Sequence, residues 1–309
     1  MTMNIGAGLD PRQNAFRPDL ADIRLKGQVR ADAFVTGQQA LVAAPVAPVW
    51  ARPDADVPMV TEFLYGEPVI VFEDREDDWV WAQSGVDGYV GYLSATALGP
   101  AVLGAPDPSP VTALSAPVFR HRDIKSPVIA MLSMGSLPIC DPVEGDFAAI
   151  PDLGGFIHRR HLVHANRSDI AAIAAMFLHA PYVWGGRSAA GLDCSGLVQC
   201  ALRTCGIAAP RDSDQLAAGV GHAVDFESGG DGAARWDRSR GDIVAFPGHI
   251  GIMVDDEHIV HANAAAMAVS IDPVDAVARR CHAADGRGVT AVRRLPPSES
   301  ALESRPVDQ

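Results

Sequence analysis

Hydrophobic and polar positions fall into three textures along the chain. Between Asp32 and Leu98 short apolar runs, Gln39 to Val49, Val69 to Phe72, Trp79 to Ala82 and Tyr89 to Leu93, are separated by turn residues. Strands of about five residues joined by turns are what such punctuation allows, so the segment predicts a small all-β unit. Asp74 to Asp78 reads as a hairpin turn ahead of the alternating Trp79, Val80, Trp81, and Asp87-Gly88 as another tight turn. A Pro- and Gly-rich linker, Gly99 to Pro110, follows. Val111 to Val163 then repeats the style, with expected strands at Ala116 to Phe119, Val128 to Leu132, Leu137 to Cys140, Phe147 to Ile150 and Phe156 to Arg159. The parallel reaches individual residues: Pro48-Val49-Trp50 is echoed by Pro117-Val118-Phe119, and Gly91-Tyr92-Leu93 by Gly155-Phe156-Ile157. The two stretches read as a duplicated small barrel.

After His164 the period changes. Ser168 can cap a helix starting at Asp169, with Ile170, Ile173, Ala174, Met176 and Phe177 at helical spacing and a stop before Pro181. A second helix is expected from Cys194 through Leu197, Val198, Ala201 and Leu202 to the terminating Gly206. The remaining apolar runs read as strands: Asp242 to Phe246, Ile250 to Val254, His258 to His261, Val269 to Ile271 and Val289 to Val292. Glu227 to Ala234 is expected to be a flexible loop, and the stretch after Leu295 a mobile tail.

Composition narrows the function. The 309 residues are 48% hydrophobic and 20% charged, enough for a sizeable core and two or three domains. A formal net charge of −13 disfavours nucleic acid and anionic membranes, because both are bound through clustered Lys and Arg. A small soluble substrate suits this charge better. No apolar run approaches the eighteen or so residues of a membrane span, and Asp10, Arg12, Arg17 and Asp19 interrupt any secretory core, so the expected location is cytoplasmic. Five cysteines without a CxxC pair do not form a disulfide framework; a special one among them would be a reactive thiol.

That thiol is expected at Cys194. A cysteine in the first turn of a helix faces unpaired N–H groups and the positive end of the dipole, which favour thiolate and could also hold an oxyanion. Cys140, Cys200, Cys205 and Cys281 sit in apolar strand, helix interior or loop and read as packing residues. His249, after Pro247-Gly248 at the start of a strand, can point into a cleft as general base. Twelve residues later His261 can lie beside it across a hairpin and fix its tautomer, while His258 faces solvent. Cys194, His249 and His261 could also bind zinc, but no pair has the short spacing usual in such sites and no carboxylate completes a set; neither metal nor cofactor is expected.

Tyr182-Val183-Trp184-Gly185-Gly186, Asp193-Cys194-Ser195-Gly196-Leu197-Val198, Pro210-Arg211-Asp212-Ser213, Gly241-Asp242-Ile243-Val244, His249-Ile250-Gly251-Ile252 and His261-Ala262 together resemble, in order, the motifs of the NlpC-type cell-wall cysteine peptidases. The resemblance covers roughly residues 165 to 295. It implies a papain-like α+β fold and hydrolysis of murein stem peptides, with Cys194 as nucleophile, His249 as base and His261 as orienting residue. It further implies that Asp193 and Ser195 help hold the substrate's amino group and that Tyr182 and Arg211 line or support the cleft.

Thr61-Glu62-Phe63-Leu64-Tyr65-Gly66-Glu67 and Asp87-Gly88-Tyr89-Val90-Gly91-Tyr92 resemble the bacterial SH3-like barrels that precede such domains. In relatives of this design the first barrel limits the cleft to short peptides with a free N-terminal L-Ala, cut between γ-D-Glu and the diamino acid. Tyr89 and Glu62 are the candidates for that contact, with Tyr92 and Glu67 as neighbours.

The expected architecture is therefore α+β: two small SH3-like β-barrels, at 30–100 and 108–165, followed by a papain-like catalytic domain at 166–297 and a tail at 298–309. The expected activity is that of a cysteine endopeptidase acting on the γ-D-glutamyl–diamino acid bond during wall-peptide recycling. An amidase or acyltransferase using the same Cys-His-His set, and a peptide- or wall-binding module with a vestigial catalytic domain, are the alternatives.

Overall fold

The computed structural model describes residues 8–101, 106–162 and 168–296; the tail expected at 298–309, part of the Gly99 to Pro110 linker and Val163 lie outside them. The chain divides into two compact units, Met1–His164 together with Trp184–Ala190, and Ala165–Val183 together with Gly191–Gln309. Among the described residues no helix is long and apolar enough to cross a membrane.

After a short parallel pair, Leu20–Asp22 with Ala33–Val35, the N-terminal unit forms a sheet of seven antiparallel strands, β1 (Gln38–Val42), β2 (Val46–Trp50), β3 (Met59–Leu64), β4 (Pro68–Asp74), β5 (Trp79–Ser84), β6 (Val90–Ser94) and β7 (Leu98–Pro100), in the order β3-β2-β6-β5-β4-β1-β7. Alternate residues, Val42, Val49, Phe63, Val69, Val80, Ala82, Tyr89 and Leu93, fill its core. The apolar run from Gln39 to Val49 is thus two strands broken at residues 43–45. Strand β3 carries no apolar run because Thr61 and Glu62 interrupt it, yet both are buried. Glu62 accepts the backbone N–H of Arg187 at 2.8 Å, and Arg187 Nη2 donates to Glu67 at 2.5 Å, so the strap Trp184–Ala190 supplies the partners that make these buried charges tolerable.

A second sheet follows, β8 (Ser115–Phe119), β9 (Val128–Ser133), β10 (Phe147–Ile150) and β11 (Gly155–His158), in the order β9-β8-β11-β10. Its core, Ala116, Val118, Leu132, Ala148, Ile150 and Ile157, also takes in Tyr65 from the turn after β3. Leu137 to Cys140, expected as a strand, is irregular. Pro138 has no N–H for a ladder, and Leu137 donates its own to Tyr65 O at 2.7 Å.

The C-terminal unit sets helices against an antiparallel sheet: α1 (Ile170–Ala175), α2 (Cys194–Thr204), α3 (Ser213–Gly219), β12 (Ile243–Phe246), β13 (His249–Met253), β14 (His258–Asn263), β15 (Ala268–Pro273), α4 (Val274–Asp285) and β16 (Ala291–Arg294). The strand order is β16-β12-β13-β14-β15, with the short pair His222–Ala223 outside β16. Helix α2 packs on β13 and β14. Val244, Phe246, Met253 and Ile259 pack with Val274, Val277 and Ala278 of α4.

Several sequence expectations change here. The cap of α1 is Asp169, not Ser168, because its carboxylate reaches Ala172 N at 3.0 Å. Cys281 lies in α4, not in a loop. The Gly-rich segment from Glu227 to Ala234 is a closed hairpin, with Glu227–Ser228 paired to Ala234–Arg235 and Ala234 buried in the core.

Candidate active site

Helix α2 places Cys194 in its first turn. Asp193 is the N-cap, its Oδ1 accepting Gly196 N at 2.7 Å, so the chain is extended up to the cap and helical from the cysteine onward. Asp193 is held in turn by Arg211, whose Nη1 and Nη2 donate to its two oxygens at 2.9 and 2.7 Å while Nη1 also donates to Ser195 Oγ at 2.7 Å. Arg211 is 1% exposed and Asp193 7%. The side chains flanking Cys194 on both sides are therefore anchored by one buried guanidinium.

The backbone N–H groups of Ile250 and Ser195, with the charge of Arg211, favour the anion of Cys194. Burial and the nearby Asp193 outweigh them and push the thiol up to about 12. The local expectation of a ready thiolate thus gives way to a neutral thiol, because desolvation of the sulfur exceeds the pull of the helix end. Tyr182 lies in the same surroundings; burial and the negative forms of Cys194 and Asp193 push its phenol up to about 12.

His249 opens β13 immediately after Gly248, whose φ of +63° lets the turn from Phe246 close in two residues. Its ring stacks on Phe246, and its Nε2 lies 2.7 Å from Nδ1 of His261 on β14. Burial, then His261 and Arg280, depress His249 to about 3, so its ring is neutral. His261 is fully buried and likewise held neutral, chiefly by burial. His258 points the other way and pairs with Asp255, as strand alternation requires.

The far side of His261 holds a group the sequence did not single out. His261 Nε2 lies 2.9 Å from Asp272 Oδ2, and Ser270 Oγ donates to the same oxygen at 3.1 Å. Ser270 is directly opposite His261 in the β14–β15 register, and Asp272 is the next residue on that face. The period-two pattern Ser270, Asp272 was the available signal.

The structure thus gathers Cys194, His249, His261, Asp193, Ser195, Arg211 and Tyr182 in the C-terminal unit. Tyr89 and Glu62 belong to the N-terminal unit, Tyr89 in the core of the first sheet and Glu62 bonded to Arg187 N. Chemically, a thiol at a helix tip and an imidazole bonded to a second imidazole, which is in turn bonded to a carboxylate, are the nucleophile and base that attack on an acyl carbon requires.

Comparison with known proteins places this arrangement. Residues 179–283 match the NlpC/P60 family model, and residues 49–98 match the bacterial dipeptidyl-peptidase SH3 domain. Dipeptidyl-peptidase 6 of Lysinibacillus sphaericus is 26% identical over 260 residues, 76% of this chain and 92% of that protein. A gamma-D-glutamyl-L-lysine dipeptidyl-peptidase of Bacillus subtilis is 27% identical over 186 residues, 55% of this chain and 62% of the relative. A crystal structure of an NlpC/P60 family protein from Bacillus cereus superposes with a TM-score of 0.69 at 20% identity, covering 84% of this chain and all of that one, which is a likeness of fold.

Proposed function

Because the chain joins a bacterial SH3 domain to the papain-like domain of an NlpC/P60 cysteine peptidase, we propose that it hydrolyses the γ-D-glutamyl–diamino acid bond of short murein peptides bearing a free N-terminal L-Ala. The observation that carries the reading is the setting of one cysteine: Cys194 heads α2, α2 packs on β13, and His249, the first residue of β13, is bonded to His261. The activities for which these two relatives are named, both dipeptidyl-peptidases, support release of an N-terminal dipeptide.

In this reading His249 Nδ1 takes the proton from Cys194 Sγ as the sulfur adds to the γ-carbonyl carbon and the carbonyl electrons move to oxygen. Backbone N–H groups at the head of α2 receive that oxyanion. Collapse expels the diamino acid's amine, which takes the proton back from His249, and leaves a thioester. Water then adds, delivering a proton to His249 and releasing the carboxylate and the thiol. Asp193 and Ser195, fixed by Arg211, help hold the substrate's free amino group, and Tyr182 supports the cleft. Tyr89 and Glu62 are assigned recognition of the substrate's free amine. No disulfide joins the cysteines among the described residues, which suits the reducing cytoplasm in which imported wall peptides would be recycled.

The test uses L-Ala-γ-D-Glu-diaminopimelate and its N-acetylated copy with the unmodified protein and Cys194→Ala. Diaminopimelate should appear only with the unmodified protein and only from the free-amine peptide. Undiminished release by Cys194→Ala would remove the nucleophile, and equal cleavage of both peptides would remove the amine requirement.

A further inference from the structure

The polar face shared by β14 and β15 is oriented in one direction from end to end. Ala266 N donates to Asn263 Oδ1 at 2.8 Å, which turns the Asn263 amide so that Nδ2 is a donor toward Ser270 Oγ, 2.8 Å away. Ser270 Oγ, having accepted that bond, donates its own proton to Asp272 Oδ2 at 3.1 Å. Asp272 is kept ionised by its bonds to His261 and Ser270, so it only accepts. His261 Nε2 must then carry the proton in its 2.9 Å contact with Asp272, and the neutral ring presents Nδ1 as a bare acceptor. His249 Nε2, 2.7 Å from that Nδ1, must carry its own proton. The lone pair left on the neutral His249 ring is therefore Nδ1.

We infer that Asp272 is a positioning residue that sets, through His261, the tautomer in which His249 can accept a proton from Cys194. The inference rests on the proposed roles of Cys194 and His249. It also covers the protonated intermediate: an imidazolium on His249 donates from Nε2 and needs His261 Nδ1 to remain an acceptor. Asn263 makes the assignment sharp, because its Nδ2 donor sits 3.3 Å from His261 Nε2. With the carboxylate present Nε2–H points to Asp272. With the carboxylate removed the nearest fixed partner is a donor, which draws His261 to the Nδ1–H form, turns Nε2 of His249 into the acceptor and places the proton on the nitrogen that should be free. Arg280 of α4 is the other charged group whose field reaches Asp272, His261 and His249, and it is unchanged in the variants below.

The experiment is 15N NMR of histidine-labelled full-length protein, with kcat and KM for the free-amine peptide, in the unmodified chain, Asp272→Ala, Asp272→Asn and the double variant Asp272→Ala/Asn263→Asp. The unmodified chain should show His249 protonated at Nε2. Asp272→Ala should move that proton to Nδ1 and lower kcat by roughly a hundredfold or more with little change in KM, in line with the loss seen when a histidine is left in the wrong tautomer. Asn263→Asp puts an acceptor where the amide donor was, so the double variant should regain the Nε2–H form and about tenfold or more of the lost kcat. If Asp272→Ala does not fold, the near-isosteric Asp272→Leu, which also removes the acceptor, carries the same comparison, while Asp272→Asn, whose Oδ1 can still accept from His261 Nε2, should stay closer to the unmodified chain. An unchanged His249 tautomer in Asp272→Ala or Asp272→Leu, or a kcat loss that Asn263→Asp does not restore, overturns the inference. The tautomer readout needs no turnover, so it stands apart from Cys194→Ala, whose retained activity would overturn the function and not the network.

Discussion

Replacing Arg211 by Met removes the buried guanidinium that neutralises Asp193 beneath the head of α2. The guanidinium makes three short bonds there, two to Asp193 and one to Ser195, with Arg211 1% and Asp193 7% exposed. Breaking one partner of a buried pair leaves the other charge desolvated and alone, which costs about 3–5 kcal/mol. Asp193→Asn does the mirror experiment cleanly, since asparagine still caps the helix through Gly196 N and only the charge is lost. Each single variant should be destabilised by that amount and the double variant by clearly less, for a coupling of about 2 kcal/mol or more. Hydrogen exchange of the α2 amides reads the C-terminal unit directly, and the single variants should exchange roughly a hundredfold to a few thousandfold faster through global opening. Single costs below about 1 kcal/mol, or singles that simply add in the double variant, would refute the claim that this pair fixes the cysteine's platform.

Protonation and packing set three further outcomes. Because burial pushes Cys194 up to about 12, its alkylation by iodoacetamide in the resting protein should be slow at neutral pH and rise about tenfold per pH unit toward that value; a rate already flat from mildly acidic pH upward would show a resting thiolate instead. Stability should fall on both sides of neutrality. His249, depressed to about 3 from 6.5, is neutral when folded while the unfolded chain takes up a proton, so stability is full above 6.5 and is lost as pH drops toward 3. Cys194, raised from 9.0, keeps its proton when folded, so stability is full below 9 and is lost as pH climbs toward 12; His249→Gln should flatten the acid limb of a denaturation-midpoint profile, and Cys194→Ala the alkaline one. Gly66→Ala should destabilise the N-terminal unit by about 2 kcal/mol or more, measured by urea unfolding, since φ is +78° and a Cβ would stand 2.1 Å from the carbonyl oxygen of Leu137; an unchanged midpoint would contradict that packing.

What could be read from the sequence was whatever depends on near neighbours. The start of α2 at Cys194 follows from Asp193 as cap and from Leu197, Val198, Ala201 and Leu202 at helical spacing. His249 and His261 meet because Pro247-Gly248 closes one turn and the next hairpin joins β13 to β14. Helix α4 was equally legible, with Val274, Val277, Ala278 and Cys281 at helical spacing, but a search for apolar runs passes over a helix whose outer face is Arg279, Arg280 and His282. Leu137 to Cys140 was misjudged for the opposite reason: it is apolar enough for a strand, yet its backbone partner lies on Tyr65, some seventy residues earlier.

The protonation of the site belongs to a different class of fact. A helix end argues for thiolate within a single turn of sequence, whereas burial of the sulfur needs α2 seated on β13 and β14, and that burial reverses the sign. Arg211 reaches Asp193 from 18 positions away, and Asp272 reaches His261 only through the pairing of β14 with β15. Arg211 has no local signature, and the period-two pair Ser270, Asp272 marks a shared face without marking its partner. A carboxylate two residues beyond a serine in a strand looks like a solvated edge until the register sets that serine opposite a histidine. The residues able to react were therefore marked by their own positions, but the ones that decide which nitrogen holds the proton could be found only by following each polar group to its partner across the sheet.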